Sequence, residues 1–276
     1  MNFPLLIDGQ RFQDEGMLTA SSTGTALSNS GSANTKGSYT QLVASTPYDA
    51  QGLLVCLTTN AVAAGQSYLI DIAIGGAGSE QVIIPNILVD PSGATGELGI
   101  AAYFPIPIPA GSRIAARQQN STTTGALRVG VVLMAGGFFG MPLGGRCSDL
   151  GTDTSTSGGA LIDPGTSANT KGSYTQLVAA TAHDIKLLGL AITDNKDTSR
   201  SSTTWLVDLA IGGAGSEQVV IPNLLVSSVS SRNMRPAWIG PFPFSIPSGS
   251  RVAVRAQSTS VTATRRIIAV AAYGLG

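Results

Sequence analysis

The sequence of this chain repeats itself, with identical letters over its best-matched segments. SANTKGSYTQLVA stands at Ser32–Ala44 and again at Ser167–Ala179, an offset of 135 residues. AIGGAGSEQV begins at Ala73 and again at Ala210, an offset of 137 residues. Because the matches keep their order while the offset grows slowly, we predict that the 276-residue chain is a tandem duplication of one domain.

The repeat divides the chain into four parts. We predict an N-terminal arm at 1–18, a first domain at 19–138, a linker at 139–153 and a second domain at 154–276. The predicted linker is rich in Gly, and each domain opens with a stretch of Ser, Thr and Gly that is typical of loops.

Short apolar runs indicate strands rather than helices. The runs are rich in Val, Ile and Leu, and clusters of Gly, Pro, Asn and Ser separate them at intervals of about ten residues. The chain contains 34 Gly and 14 Pro, which cost a helix interior about 1 and about 3 kcal/mol each relative to Ala. The pattern predicts an all-β protein with two tandem antiparallel β-sandwiches of the jelly-roll type. An immunoglobulin-type sandwich is the alternative, although its Cys…Trp…Cys signature is missing.

Alternation along the strands places charged residues on one face of each sheet. In Leu69–Ile74 the isoleucines share a face and Asp71 lies on the opposite one, because successive side chains of a strand alternate. Arg113 and Arg117 share a face for the same reason. We predict ion pairs among these three residues and among their counterparts in the second copy. The counterparts are Asp208, Arg251 and Arg255.

Each copy contains the glycine-rich segment GGAGSE between two apolar runs. A phosphate-binding loop would need a following Lys-Ser/Thr and a helix, but a strand pattern follows here. We therefore predict a hairpin turn whose glycines adopt positive φ. These glycines are Gly75, Gly76 and Gly78 in the first copy and Gly212, Gly213 and Gly215 in the second.

Carboxylates beside this turn are the first candidates for catalysis. Asp71 and Glu80 flank the turn, as do Asp208 and Glu217, and a pair of carboxylates can hydrolyse a glycosidic bond. Because both copies carry the same pair, we interpret these residues as features of the fold, either as surface charge or in cross-strand pairs with Arg113 and Arg117.

Histidine and cysteine are too scarce for a metal centre or an evident catalytic triad. His183 is the single histidine, and no nucleophile-elbow motif accompanies it. Cys56 and Cys147 are interpreted as buried free thiols, with one disulfide between them as the alternative. The sequence thus predicts no catalytic residue, no cofactor and no metal site.

Charge and hydropathy exclude further classes of function. The chain has 16 basic and 16 acidic residues, so it lacks the basic field that binds nucleic acid. No uninterrupted apolar run reaches the ~18 residues that a membrane-spanning helix needs. The first residues also lack a basic leader, so we predict no secretory signal.

Three of the repeated segments resemble structural proteins of tailed-bacteriophage virions. They are Ser32–Leu42, Asp71–Asn86 and Ile108–Arg117, each with its second copy. The resemblance implies a virion component that decorates the capsid or contributes to the tail, after assembly in the host cytoplasm. It carries over no catalytic residue.

The composition fits a subunit that packs beside copies of itself. Only 12% of the residues are charged, and small residues abound. Closed oligomers are the usual assemblies, and a trimer would arrange six similar domains around one axis. We expect a non-enzymatic capsid decoration or cement protein whose partners are its own copies and other virion proteins, such as the major capsid or tail proteins. The alternative is a tail- or fibre-associated protein that binds receptor glycans. Its candidate residues are Trp238, Tyr48, Tyr103 and Asp90.

Overall fold

The structure is a computed structural model that describes residues 10–61, 65–90, 99–136, 144–193, 202–228 and 237–276. It confirms the predicted fold class: the chain is nearly all β, with four antiparallel sheets in two sandwich-like units. The one helix of the described residues is α1 (Ala263–Arg266). No helix among them is long and apolar enough to cross a membrane.

Ten strands among the described residues build the first domain. In chain order they are β1 (Arg11–Glu15), β2 (Met17–Leu18), β3 (Thr23–Ala26), β4 (Thr40–Val43), β5 (Gly52–Ala61), β6 (Tyr68–Ile74), β7 (Gln81–Val89), β8 (Gly99–Phe104), β9 (Ile114–Asn120) and β10 (Ala126–Ala135). The six-stranded sheet has the order β2-β3-β10-β5-β8, with β1 also paired to β10. The four-stranded sheet has the order β4-β9-β6-β7.

The second domain repeats this arrangement. Its strands are β11 (Cys147–Leu150), β12 (Thr152–Asp153), β13 (Gly158–Ile162), β14 (Thr175–Val178), β15 (Ile185–Thr193), β16 (Thr203–Ile211), β17 (Gln218–Ser228), β18 (Ala237–Ile246), β19 (Val252–Ser258) and β20 (Ile268–Leu275). The six-stranded sheet reads β12-β13-β20-β15-β18 with β11 on β20, and the four-stranded sheet reads β14-β19-β16-β17.

The strand order is that of a jelly roll. Counting from β3, the first, eighth, third and sixth strands form one sheet, and the second, seventh, fourth and fifth form the other. Alternation places Ile70 and Ile72 in the core between the sheets, with no exposed surface, as the sequence pattern predicts. Asp71 lies on the outer face of the four-stranded sheet, where neighbouring side chains leave it 3% exposed.

Short strands also form in the segments that were assigned to the arm and the linker. β1 pairs with β10, so that Asp14 lies opposite Val132. β11 pairs with β20, so that Asp149 lies opposite Tyr273. The sequences of these strands, RFQDE and CSDL, show no apolar alternation, because backbone pairing along β10 and β20 requires none. Each strand therefore belongs to the sheet of its own domain.

Candidate functional site

The two domains meet where an edge of the first sandwich packs on a face of the second. β7 and β8 supply the edge, and the second six-stranded sheet receives it through β11, β13, β15 and β18. Tyr273 of β20 adds hydrogen bonds to β7. Side chains of this face join the hydrophobic core of the first domain. They include Leu187, Ala271, Tyr273 and Leu275, none of which has exposed surface.

Three aromatic rings form the centre of this interface. The ring centroid of Phe104 lies 4.7 Å from that of Trp238 and 6.0 Å from that of Tyr273. Trp238 and Tyr273 are 5.1 Å apart. Such tilted and edge-on pairs stabilise a contact beyond the area that they bury. Trp238 therefore packs between the domains rather than lining an open sugar-binding surface.

The hydroxyl of Tyr273 joins the two domains through the backbone of β7. It donates to the carbonyl oxygen of Asn86 at 2.8 Å and accepts from the amide of Leu88 at 2.6 Å. Burial raises the pKa of Tyr273 well above its ordinary value, so the phenol stays protonated and can donate.

Polar side chains surround this aromatic centre. Asn86 Nδ2 donates to a carboxylate oxygen of Asp149 at 3.0 Å. Gln119 Nε2 donates to the hydroxyl of Ser157 at 3.0 Å, and that hydroxyl donates to Asn34 Oδ1 at 2.8 Å. The interface is thus built as an apolar centre with a hydrogen-bonded margin.

A buried carboxylate with two cationic partners stands beside the interface in the first domain. Lys36 Nζ and Arg117 Nε each lie 2.8 Å from a carboxylate oxygen of Asp71. The amide of Asn86 donates to the same carboxylate at 2.9 Å. Burial lowers the pKa of Lys36, while the charge of Asp71 opposes that shift. The guanidinium of Arg117 lies over the ring of Tyr39, 4.5 Å from its centroid.

The second domain contains the same cluster. Asp208 accepts from Lys171 at 2.7 Å and from Arg255 at 3.0 Å, and the amide of Asn223 donates to it at 2.9 Å. Burial opposes the ionisation of Asp208, but these hydrogen bonds outweigh it and hold the pKa of Asp208 below its ordinary value. Arg255 lies over Tyr174, 4.6 Å from the ring centroid.

The other two predicted arginines bind glutamates and not aspartates. Arg113 pairs with Glu80 at 3.0 Å, and Arg251 pairs with Glu217 at the same distance. Arg113 also donates to the carbonyl oxygen of Gly75 at 3.1 Å. The hydrogen bonds of the Glu80 carboxylate, first to its own amide and then to Arg113, lower its pKa. These arginines therefore hold the GGAGSE turn against the strand beside it.

The predicted glycine turns have positive φ at two of their three glycines. Gly75 has φ 111° and Gly78 has φ 83°, and the second copy repeats these values with 110° at Gly212 and 82° at Gly215. The middle glycines differ from the expectation, because Gly76 and Gly213 are not among the residues with positive φ. The backbone at these two positions is not left-handed. A Cβ added at either position would approach only the hydroxyl of a serine.

The remaining candidates for chemistry are dispersed. The nearest approach to a catalytic arrangement is Ser148 Oγ, 2.9 Å from Nε2 of His183. The other ring nitrogen of His183 faces the backbone carbonyl of Asp184, not a carboxylate. Cys56 and Cys147 are free thiols, and burial raises the pKa of both. Within the described residues no three His, Cys, Asp or Glu side chains group as a metal site.

A cleft of about 300 Å³ lies at the margin of the interface. Ser67 and Asp90 line it from the first domain, and Thr156, Leu161 and Thr193 are among its lining residues from the second. In the described part of the chain the buried hydroxyls of Ser67 and Thr193 have no hydrogen-bond partner. Polar residues of both domains thus line the cleft.

The sequence motifs predicted the arginines that pair with the aspartates, but they did not predict the lysines that bind the same aspartates or the interface between the domains. Lys36 and Lys171 lie within the thirteen repeated residues, and that identity is the signal that marks them. Tyr273 gives no such signal, because its counterpart in the first copy is Val132.

No protein-family model matches this chain, and no curated protein matches it. Solved structures of similar fold include the tandem CBM22 domains of Paenibacillus barcinonensis Xyn10C, with 10% identity, a TM-score of 0.26 and coverage of 86% of this chain and 82% of that one. A chain of Broad Bean Stain Virus has 8% identity, a TM-score of 0.32 and coverage of 96% and 87%. The fucolectin of striped bass, Morone saxatilis, has 11% identity, a TM-score of 0.19 and coverage of 86% and 85%. The similar structures thus include viral and carbohydrate-binding proteins.

Proposed function

We propose that this chain is a non-enzymatic structural component of a phage virion, a decoration or cement protein of the capsid. The observation that carries the proposal is that the repeated charged residues form ion pairs with one another. Asp71 and Asp208 each pair with a lysine and an arginine, so these repeated residues hold two strands of the four-stranded sheet and a neighbouring loop together. The resemblance of the same motifs to structural proteins of tailed phages is the reason for proposing a phage virion as the assembly.

The geometry of Ser148 and His183 does not favour an enzymatic function. A serine hydroxyl becomes a nucleophile when a histidine removes its proton and a third group orients that histidine. Ser148 and His183 are within reach of each other, but a neutral backbone carbonyl takes the place of the carboxylate. A carbonyl does not stabilise an imidazolium as a carboxylate does, so we propose no catalytic role for this pair.

The cleft at the domain margin favours a second candidate, a glycan-binding protein of the tail or fibre. Sugars are recognised through hydroxyl groups, and Ser67 and Thr193 hold buried hydroxyls that lack partners among the described residues. Thr193→Val should then abolish retention on a glycan array, while Thr58→Val should leave it unchanged. Thr58 is the counterpart of Thr193 in the first domain and is exposed.

A reconstruction of the virion by electron cryo-microscopy tests the first proposal. We expect pairs of adjacent jelly rolls on the capsid lattice, and we expect capsids stripped of the chain to lose thermal stability and regain it when purified chain is added. Density at the fibre tip, together with glycans retained through Thr193, would replace the decoration role with glycan binding. A virion that lacks the chain would contradict both.

A further inference from the structure

Each half of the domain interface has a counterpart in the other domain. The edge that the first domain presents to the second recurs in the second domain, and the face that receives it recurs in the first. The edge residues Asn34, Asn86, Leu88 and Gln119 correspond to Asn169, Asn223, Leu225 and Gln257, and the face residues Asp149 and Ser157 correspond to Asp14 and Ser22. The amide, carboxylate and serine side chains at the margin of the interface are thus kept in both copies, whereas the hydroxyl of Tyr273 is not.

Backbone conformation is kept together with residue type. Asn86 has φ 50° and Asn223 has φ 53°, while Asn34 and Asn169 have 55° and 56°. Positive φ is uncommon outside glycine and costs free energy, so a fold keeps it where the surroundings require it. The second domain therefore presents its asparagines in the conformation that the first domain uses to bind a neighbouring sheet.

Exposure differs sharply between the two copies of the edge. Leu88 is 1% exposed beneath the second domain, whereas Leu225 is 68% exposed. Gln119 is 3% exposed, and its counterpart Gln257 is half-buried. The edge of the second domain is therefore an apolar and amide-bearing surface that matches one already buried within the chain.

The receiving face shows the same contrast. Ser157 has no exposed surface, whereas Ser22 is exposed. Val132 occupies the position of Tyr273 in the sheet, because each lies opposite an aspartate of the preceding short strand. Val132 is half-buried and Asp14 is exposed, so among the described residues part of this face is accessible to contact.

We propose that the edge of the second domain binds the open face of the first domain of another copy of this chain, head to tail. This inference rests on the proposed assembly function and specifies the surface through which copies of the chain associate. Asn223 would donate to Asp14, and Ser22 would lie between Asn169 and Gln257, as their counterparts do within the chain. The contact is heterologous, so it closes into a ring or extends as a filament, and a ring of three chains would place six domains around one axis.

The contact between chains should be weaker than the contact within a chain. Val132 replaces Tyr273, and the position of Trp238 is taken by Ala101, since each lies across the sheet from equivalent residues of β5 and β15. Large aromatic side chains supply much of the binding energy of protein interfaces. Association should therefore be reversible and depend on protein concentration.

Sedimentation velocity on the full chain over a range of concentrations measures this association. We expect the wild-type mass to rise with concentration, and Leu225→Asp to weaken association by about tenfold or more. Val261→Asp is the matched control, because Val261 is 50% exposed in the same domain and belongs to neither surface. A wild-type chain that stays monomeric, or a Leu225→Asp chain that associates as well as the control, overturns the proposal.

Cysteine cross-linking tests the direction of the contact in a background with Cys56→Ala and Cys147→Ala. Ser22→Cys and Asn169→Cys are placed in separate chains, which are then mixed and oxidised. We expect dimers in the mixture and none in either protein alone. Dimers of one variant by itself would show a symmetric contact and overturn the head-to-tail proposal.

A cross-link within the chain is the positive control. Asn34→Cys with Ser157→Cys joins residues whose side chains already touch at 2.8 Å, so it should change mobility under denaturing conditions without adding mass. The result of the cross-linking experiment can be distinguished from a failure of the proposed function. A chain that binds capsids and never forms the mixed dimer retains the decoration role and loses this interface.

Discussion

The hydroxyl of Tyr273 donates a hydrogen bond to the backbone carbonyl oxygen of Asn86, 2.8 Å away, from the last strand of the second domain to the seventh strand of the first. The hydroxyl oxygen of Tyr273 also accepts a hydrogen bond from the amide of Leu88. One phenol thus satisfies a donor and an acceptor of an edge strand, the kind of strand that otherwise pairs with another chain. The domains are joined by backbone recognition as well as by apolar packing.

Tyr273→Phe should therefore weaken the contact between the domains. The substitution keeps the ring among Phe104 and Trp238 but leaves a buried amide and carbonyl without this partner, which costs about 1–3 kcal/mol. Urea unfolding followed by circular dichroism measures the loss. Tyr174→Phe is the control, because that ring lies under Arg255 in the second domain and away from the interface. Equal losses in both variants would contradict the assigned role of Tyr273.

The glycines of the GGAGSE turn should differ in their tolerance of alanine. Gly78→Ala should cost about 1–2 kcal/mol, since φ is positive although the space is open. Gly75→Ala should cost more, because its Cβ would also lie 2.9 Å from the carbonyl oxygen of Ser79. Gly76→Ala should stay within about 0.5 kcal/mol of wild type. Midpoints of urea unfolding rank the three, and a Gly76→Ala variant as unstable as Gly75→Ala would contradict this account.

Much of the fold follows from the sequence because it depends on local, periodic signals. Alternation along Leu69–Ile74 predicted which face of β6 is buried, and turn residues marked where strands end. The jelly-roll order itself needs long-range pairing, but few ways exist of closing eight short antiparallel strands around one core.

The parts that the sequence left unspecified depend on contacts between distant residues. Lys36 reaches Asp71 from a loop that has no periodicity, so nothing in its own segment predicted an ion pair. The interface depends on Tyr273 and Trp238, which the first copy lacks, and an apolar side chain in a strand does not reveal which of two cores it joins. The sequence of strand β1 does not predict a strand, because its charged residues show no apolar alternation and its pairing with β10 is a backbone ladder.

Acid should destabilise the chain through its paired carboxylates. Asp208 has a pKa held below its ordinary value of 3.8, and Glu80 and Glu217 have pKa values held below 4.5. The folded state therefore binds fewer protons than the unfolded state at acidic pH. Their contribution is complete above these ordinary values and is lost as the pH falls through the lower folded values. The free energy of unfolding should decline below about pH 4.5.

Asp208→Asn isolates one part of this effect. At neutral pH it should cost about 2 kcal/mol, because Lys171 and Arg255 lose their counter-charge while Arg255 keeps 31% exposure to water. The free energy of unfolding of this variant should also fall less than that of wild type as the pH drops below about 3.8, the ordinary pKa of the carboxyl that it lacks. Asp163→Asn is the control, since that carboxylate is 45% exposed beside Arg266 and should matter less. An unchanged acid slope in Asp208→Asn would contradict the assignment.

Gly189 and Trp238 should be energetically coupled, because the indole occupies the space that a side chain at Gly189 would need. A Cβ there would lie 2.6 Å from Cζ2 of Trp238 and 2.9 Å from Cη2. The first domain shows the reverse combination, with Leu54 in place of Gly189 and Ala101 in place of Trp238. Volume is thus exchanged between two neighbouring positions, as close packing requires.

A double-mutant cycle measures this coupling. Gly189→Ala alone should cost about 1–3 kcal/mol by overpacking. Trp238→Phe removes the outer ring of the indole, and its buried Nε1 has no hydrogen-bond partner within the described residues, so little polar energy is lost with it. In the Trp238→Phe background, Gly189→Ala should therefore cost less than in wild type, with a coupling energy of about 0.5–2 kcal/mol. Additive losses in urea unfolding would show that the indole does not exclude a side chain at Gly189.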